Sequence, residues 1–202
     1  LEEYVLVFPA SLLKELGYFQ GLCFDIRKYM NAIHRNDRFM KRKDVETNYN
    51  YKQLIPYVIL NYDDGIFSYR RGVLLSEERL LNNYSIGIGG HISISDPNLF
   101  TTTYDEGMNR EIREELYINT EYVDNVVALL NDDSNEVSKA HFGIIHVFKL
   151  NKPLVRKKEK SINEPIFVSI KELKKNINKY ENWSKICINN IEKLLKVQKK
   201  IA

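Results

Sequence analysis

At 202 residues and 23.8 kDa, with 44% hydrophobic and 28% charged side chains, the chain has the composition of a globular protein large enough to bury a real core. A net charge of +3 and a pI near 8.7 are too mild to argue for nucleic acid, and two cysteines, Cys23 and Cys187, are too few for a disulfide framework or a zinc site. No apolar run reaches the ~18 residues of a membrane span, and Leu1-Glu2-Glu3 lacks the basic region of a signal peptide, so a cytoplasmic protein without membrane partners is expected.

Residues 4–8, Tyr-Val-Leu-Val-Phe, predict a short strand, after which Pro9 is expected to open a helix that Gly17 ends. A second helix is predicted over 25–34. Residues 35–52 are polar and charged and read as a surface connection, with a boundary near Tyr51 that separates an extension, 1–51, from a main domain, 52–202. Residues 53–62 and 66–71 are β-rich runs around Asp63-Asp64-Gly65, a hairpin signal because Asp-Gly tolerates the positive φ of tight turns. A strand over 84–90 runs into Gly89-Gly90. Thr103, followed three residues later by Glu106, has the pattern of a capping box and starts a helix reaching Leu116. Strands at 123–130 and 141–150 are joined by a polar loop, 131–138. A short strand at 166–170 leads to a helix at 171–178. Residues 183–200 repeat Ile186, Ile188, Ile191, Leu194, Leu195 and Val197 near helical spacing, which predicts one amphipathic helix packed on the body.

The chemistry concentrates in Arg110-Glu111-Ile112-Arg113-Glu114-Glu115-Leu116. At about 100° per residue, Glu114 and Glu115 project roughly 60° and 40° to either side of Glu111, so the three carboxylates share a helical face. Carboxylates so clustered repel one another unless a cation holds them, and a hard divalent ion such as Mg²⁺ suits their oxygens. A solvated charged face is the bland reading of the run taken alone; its place after a strand ending in Gly-Gly favours the functional one.

Gly90 with Arg110-Glu111-Ile112-Arg113-Glu114-Glu115 resembles the Nudix box, G-x5-E-x7-R-E-U-x-E-E-x-G-U with U aliphatic. The resemblance implies a Nudix α/β fold, a mixed sheet sandwiched between helices, and Mg²⁺- or Mn²⁺-dependent hydrolysis of a diphosphate linkage in a nucleotide-like small molecule. It also implies roles: Glu114 and Glu115 as principal metal ligands, Glu111 as a further ligand or a base orienting water, Arg110 holding a helix carboxylate, and the Gly90 carbonyl completing the shell. The chain departs from the pattern in three places. The spacing from Gly90 to Arg110 is six residues longer, with 93–100 as an enlarged loop; Thr102 stands where the box has glutamate; and Tyr117 replaces the closing glycine.

Outside the box, Tyr69, Arg70 and Arg71 are candidates for substrate binding, by stacking on a base or pairing with phosphate, or else alternating edge-strand side chains. Asp132, Asp133, Glu136 and Glu164 are candidates for an additional carboxylate, with ordinary turn chemistry the alternative for the loop acids. His91 is expected to bond within its turn, and His141 and His146, at odd separation on one strand, to face opposite sides. The basic run Arg156-Lys157-Lys158-Glu159-Lys160 could attract an anionic substrate or RNA, but between strands it reads as a solvated loop. The leading segment is expected to cover the substrate pocket or build a homodimer interface. Two rivals to hydrolysis stand: a non-catalytic nucleotide-binding sensor, which has no need of all three glutamates, and a diphosphate-ester isomerase, which would need a cysteine or another acid at the pocket.

Overall fold

The computed structural model describes residues 2–72, 83–94 and 103–201, with side chains followed to residue 197. Residues 95–100 of the enlarged loop and Thr102 lie outside the described residues. The chain runs β1 (Tyr4–Pro9), α1 (Ser11–Leu16), β2 (Gly21–Cys23), α2 (Ile26–Asn36), β3 (Arg38–Lys41), α3 (Arg42–Val45) and the long β4 (Tyr51–Tyr62). Next come β5 (Gly65–Arg71), β6 (Tyr84–Ser85), β7 (Gly87–Ile88), α4 (Thr103–Glu115), β8 (Leu116–Ile118), β9 (Tyr122–Asn131), α5 (Glu136–Lys139) and β10 (His141–Leu150). The last part is β11 (Val155–Lys157), β12 (Ile162–Ser169), α6 (Ile170–Lys175), a 3-10 turn, α7 (Asn182–Asn189) and α8 (Ile191–Ile201). The fold is α/β, a mixed sheet with helices, whose principal strands pair in the order β12-β5-β4-β10-β9-β2.

Several expectations change. Pro9 ends β1 instead of opening α1, whose N-cap is Ala10, whereas Gly17 stops α1 with φ 106°. The connection at 35–52 holds β3 and α3, because β3 finds its hydrogen bonds on β1 despite a charged sequence. The loop at 131–138 contains the short α5, capped by Asn135, whose side chain accepts from the Ser138 amide. The basic run begins in a strand, β11, paired with β8. The single terminal helix is two, broken at Asn190 (φ −117°, ψ 12°), whose amide bonds back to the carbonyls of Cys187 and Ile188.

Contacts divide the chain into two compact units, the first made of Leu1–Tyr57, Gly89–Glu111 and Ala128–Ile145. In this unit β1 is an interior strand. One edge pairs antiparallel with β3; the other pairs with β4 through Val7 and Gln53 and with residues 92–94, where the Leu6 amide donates to the Ile92 carbonyl (2.9 Å) and the Ile94 amide to the Tyr4 carbonyl (3.2 Å). Consecutive residues of β1 are buried on both faces, which is why the strand is apolar throughout. Val5 and Val7 are fully buried with Val45 of α3, and Met40 and Tyr51 pack on them. At roughly 1.5–3 kcal/mol for each large apolar side chain, these contacts fix β1 in place.

The second unit comprises Val58–Ile88, Ile112–Val127 and His146–Ala202. β5 lies between β4 and β12, turning from β4 through Asp63 at φ 49°. β12 bulges between Asn163 and Ile166, with Glu164 at φ 50°. Glu181, 8% exposed, caps α7 by accepting from the amides of Trp183 and Ser184, both at 2.8 Å. β8 and β11 form a separate two-stranded ribbon.

Candidate active site

The first unit brings the Gly89-Gly90 turn against Arg110 and Glu111, in the later half of α4. Each glycine is required by a different neighbour. A Cβ on Gly89 would stand 1.7 Å from the Pro56 carbonyl oxygen, so the backbone of β4 occupies that space. A Cβ on Gly90 would stand 2.1 Å from Glu111 Oε2 and 2.4 Å from its carboxyl carbon. The Glu111 carboxylate therefore rests directly on the Gly90 backbone, an approach only glycine permits.

Arg110 holds that arrangement from the side. Its Nη1 lies 2.6 Å from Glu111 Oε1, and its Nη2 donates to the His91 carbonyl at 2.9 Å. The planar guanidinium thus bridges the helix carboxylate and the glycine turn with two fixed donors. Glu111 is 17% exposed and Arg110 31%, enough burial to give the pair more weight than a surface contact.

His91 makes a contact that neighbouring residues in the sequence do not announce. Its Nε2 lies 3.3 Å from Nε2 of His141, fifty residues away, and His141 Nδ1 is 2.7 Å from the Val137 carbonyl. That carbonyl can only accept, so His141 carries its proton on Nδ1 and offers the Nε2 lone pair to His91. Burial holds the His91 imidazole well below its ordinary value, and the positive fields of Arg42 and Arg110 push the same way. His146 has a separate partner, Asp124, at 2.8 Å.

Glu114 and Glu115 end α4, where the Glu115 carbonyl accepts from the Lys158 amide at 2.8 Å. Among the described residues, no three His, Cys, Asp or Glu side chains are gathered as a ready metal cage.

The residues outside the box fall into distinct settings. Tyr69 is 4% exposed, its hydroxyl donates to the Gly87 carbonyl at 2.9 Å, and burial pushes its pKa up to about 12, with Glu115 and Glu181 adding to the rise. It sits in the core beside Phe67, where the fold gives it no open face for a base. Arg70 pairs with Glu164 at 2.7 Å, and Glu164 also accepts from the Tyr84 hydroxyl at 2.8 Å. Arg71, at the end of β5, is part-buried.

The loop acids belong to a network tying β2, β4 and β9 together. Asp132 is fully buried and accepts from Gln20 Nε2 (2.8 Å) and the Ser134 amide (3.1 Å). Asp133 accepts from the Tyr18 hydroxyl (2.8 Å) and from Lys52 Nζ (2.7 Å), while Glu136 is exposed on α5. Lys52 is 4% exposed; burial lowers its pKa, and Asp133 opposes the fall. This ion pair escaped the sequence reading. Its one signal is a lysine and a glutamine, Lys52 and Gln53, opening an otherwise apolar strand.

No family model matches the chain. It is 35% identical over 204 residues to Protein YmaB of Bacillus subtilis (strain 168), an alignment covering 95% of this chain and 98% of that one. The crystal structure of Tm1382, a candidate Nudix hydrolase, superposes with a TM-score of 0.78 at 28% identity, covering 94% of this chain and 98% of that one. The Nudix domain of NrtR from Shewanella oneidensis, complexed with ADP-ribose, matches over 81% of this chain and 100% of its own, with a TM-score of 0.53 and 9% identity, a likeness of fold alone. The first two of these matches span nearly the whole of both chains, and the chain belongs to the Nudix hydrolase family.

Proposed function

We propose that this Nudix-type hydrolase cleaves a diphosphate linkage in a nucleoside diphosphate derivative, using Mg²⁺ or Mn²⁺. The observation that carries the reading is the Glu111 carboxylate seated on the Gly90 backbone and braced by Arg110, which also grips the His91 carbonyl. A turn and a helix residue twenty positions apart are thereby locked at one point, as a catalytic carboxylate needs.

By donor chemistry, oxygen ligands of this kind suit a hard divalent ion, which would draw together carboxylates that, among the described residues, are not gathered without it. Glu111, Glu114 and Glu115 offer carboxylate oxygens from one helix, and the carbonyl of Gly90 lies on a residue with no side chain to obstruct a ligand. These four would hold the metal. Such an ion, when bound, neutralises diphosphate oxygens and lowers the pKa of a coordinated water. Arg110 would keep Glu111 ionised and aimed, and Glu111 would act as a further ligand or orient the attacking water. Arg70 and Arg71 would receive substrate phosphate, Arg70 by exchanging its present partner Glu164.

The reading is tested with a panel of nucleoside triphosphates, ADP-ribose, dinucleotides, NADH and capped RNA, assayed with Mg²⁺ or Mn²⁺. The double variant Glu114→Gln, Glu115→Gln is expected to lose turnover of whichever compound the unaltered protein cleaves. Undiminished turnover by that variant sinks the assignment.

A further inference from the structure

The ribbon of β8 and β11 has two unlike faces. Its register sets Tyr117 opposite Arg156, Leu116 opposite Lys157 and Ile118 opposite Val155. By strand alternation, Leu116, Ile118, Val155 and the exposed Lys157 share one face, where Leu116 is 3% exposed. Tyr117, Leu154, Arg156 and Lys158 share the other. Tyr117 and Leu154 are 48% and 49% exposed, and the two cations are exposed beside them.

Two cations stand beside the exposed Tyr117 ring. The Arg156 guanidinium lies 5.9 Å from the ring centroid and Lys158 Nζ 5.6 Å, both within cation–π range. Lys158 is also anchored, its amide donating to the Glu115 carbonyl and its Nζ to the Arg113 carbonyl, each at 2.8 Å, so the ribbon is fastened to the end of α4. Residues 152–160 carry five basic side chains against one acidic. The whole-chain charge of +3 is mild, but this excess is local.

We propose that the outward face of the β8–β11 ribbon binds single-stranded nucleic acid, a base stacking on Tyr117 and the adjoining phosphates lying on Arg156 and Lys158. An exposed aromatic ring set among cations on an anchored strand pair is the combination that single strands engage, because every base offers a π-face and every linkage a charge. An acidic peptide would use the cations and leave the ring idle. A duplex would meet the cations with its bases already stacked. The inference does not depend on the hydrolase reading, since binding needs no turnover.

The test is fluorescence anisotropy on the full chain with labelled single-stranded RNA and DNA of about 12 nucleotides, a duplex of equal length and a polyglutamate peptide, in roughly 50–200 mM salt. Tyr117→Ala is expected to weaken single-strand binding about tenfold while Tyr117→Phe retains it. Arg156→Glu is expected to weaken it more than tenfold and to flatten the salt dependence by about one to two in slope. Thermal melting confirms that each variant is folded. The proposal is overturned if the unaltered protein binds no single strand at the lowest salt, if Tyr117→Ala binds as tightly as Tyr117→Phe, or if duplex or peptide binds as well as the single strand.

Discussion

Alanine at position 90 isolates the contact on which the site rests. The added Cβ would lie 2.1 Å from Glu111 Oε2, and ordinary contact begins near 3.4 Å, so the carboxylate has to withdraw by about 1.3 Å. The withdrawal also stretches the 2.6 Å contact with Arg110. A displacement of about 1 Å at a catalytic group costs on the order of a hundredfold in rate, or ~2.7 kcal/mol of transition-state stabilisation. The obstructing atoms are the end of a flexible side chain, so Gly90→Ala should stay folded, with a melting temperature close to that of the unaltered protein. Gly89→Ala is the control with the opposite outcome: its Cβ meets the Pro56 carbonyl at 1.7 Å, backbone that cannot swing aside, and it should lose stability first. The assay is kcat/KM on the best substrate of the panel, with Mn²⁺ titrated by calorimetry and melting followed by circular dichroism. Gly90→Ala retaining kcat/KM within about twofold, or losing it only in step with folded protein, would refute the reasoning.

The buried Lys52–Asp133 pair gives a pH prediction. Burial pushes the Asp133 carboxyl up, but hydrogen bonds from Lys52 and Tyr18 carry it below the ordinary 3.8, so its stabilising contribution is present above that pH and is lost as pH falls through the lower folded value. Asp133→Asn should remove this acid dependence and cost about 2 kcal/mol in urea unfolding at neutral pH, less than a fully enclosed pair because Asp133 is partly exposed. Gln53 is fully buried and its side-chain amide meets no hydrogen-bond partner among the described residues, so Gln53→Met should stabilise by about 1 kcal/mol; a lowered melting temperature would show that the amide serves a bound water. Glu181→Ala should cost roughly 2 kcal/mol in chemical denaturation through loss of the α7 cap, and a change below about 0.5 kcal/mol would contradict that role.

The parts of the fold that were legible are those whose signal is local and strong. β4 and β10 announce themselves by long apolar runs, the hairpin by Asp-Asp-Gly, and α1 by its terminal Gly17. What escaped is structure made by pairing. β2, β3, β8 and β11 span three or four residues each, and all find their hydrogen bonds on a partner remote in sequence. Their sequences, such as Arg-Phe-Met-Lys in β3, carry charges that read as loop when the partner is unknown. At the site, the order Gly-Gly and Arg-Glu can be read from the chain, because residue type and spacing encode it. The seating of Glu111 on Gly90 and the His91–His141 contact cannot, because each depends on packing between separate segments. Tyr69 shows the reverse limit: an aromatic at a strand end offers no sequence cue to whether its ring meets solvent or core.

The interior position of β1 has a consequence for how the protein is made. One of its edges is completed by residues 92–94, with Leu6 bonded to Ile92 across 86 positions of chain. A nascent polypeptide emerging from the ribosome would hold that edge open until Ile92 and the residues after it are exposed, even though β3 can cover the other edge early. β1 is thus synthesised well before that edge can be sealed, and the turn that carries Gly90 takes its place in the same event. Slowed translation between β4 and α4 would prolong a state with an unsatisfied apolar edge, the interval in which a holding chaperone has the most to protect.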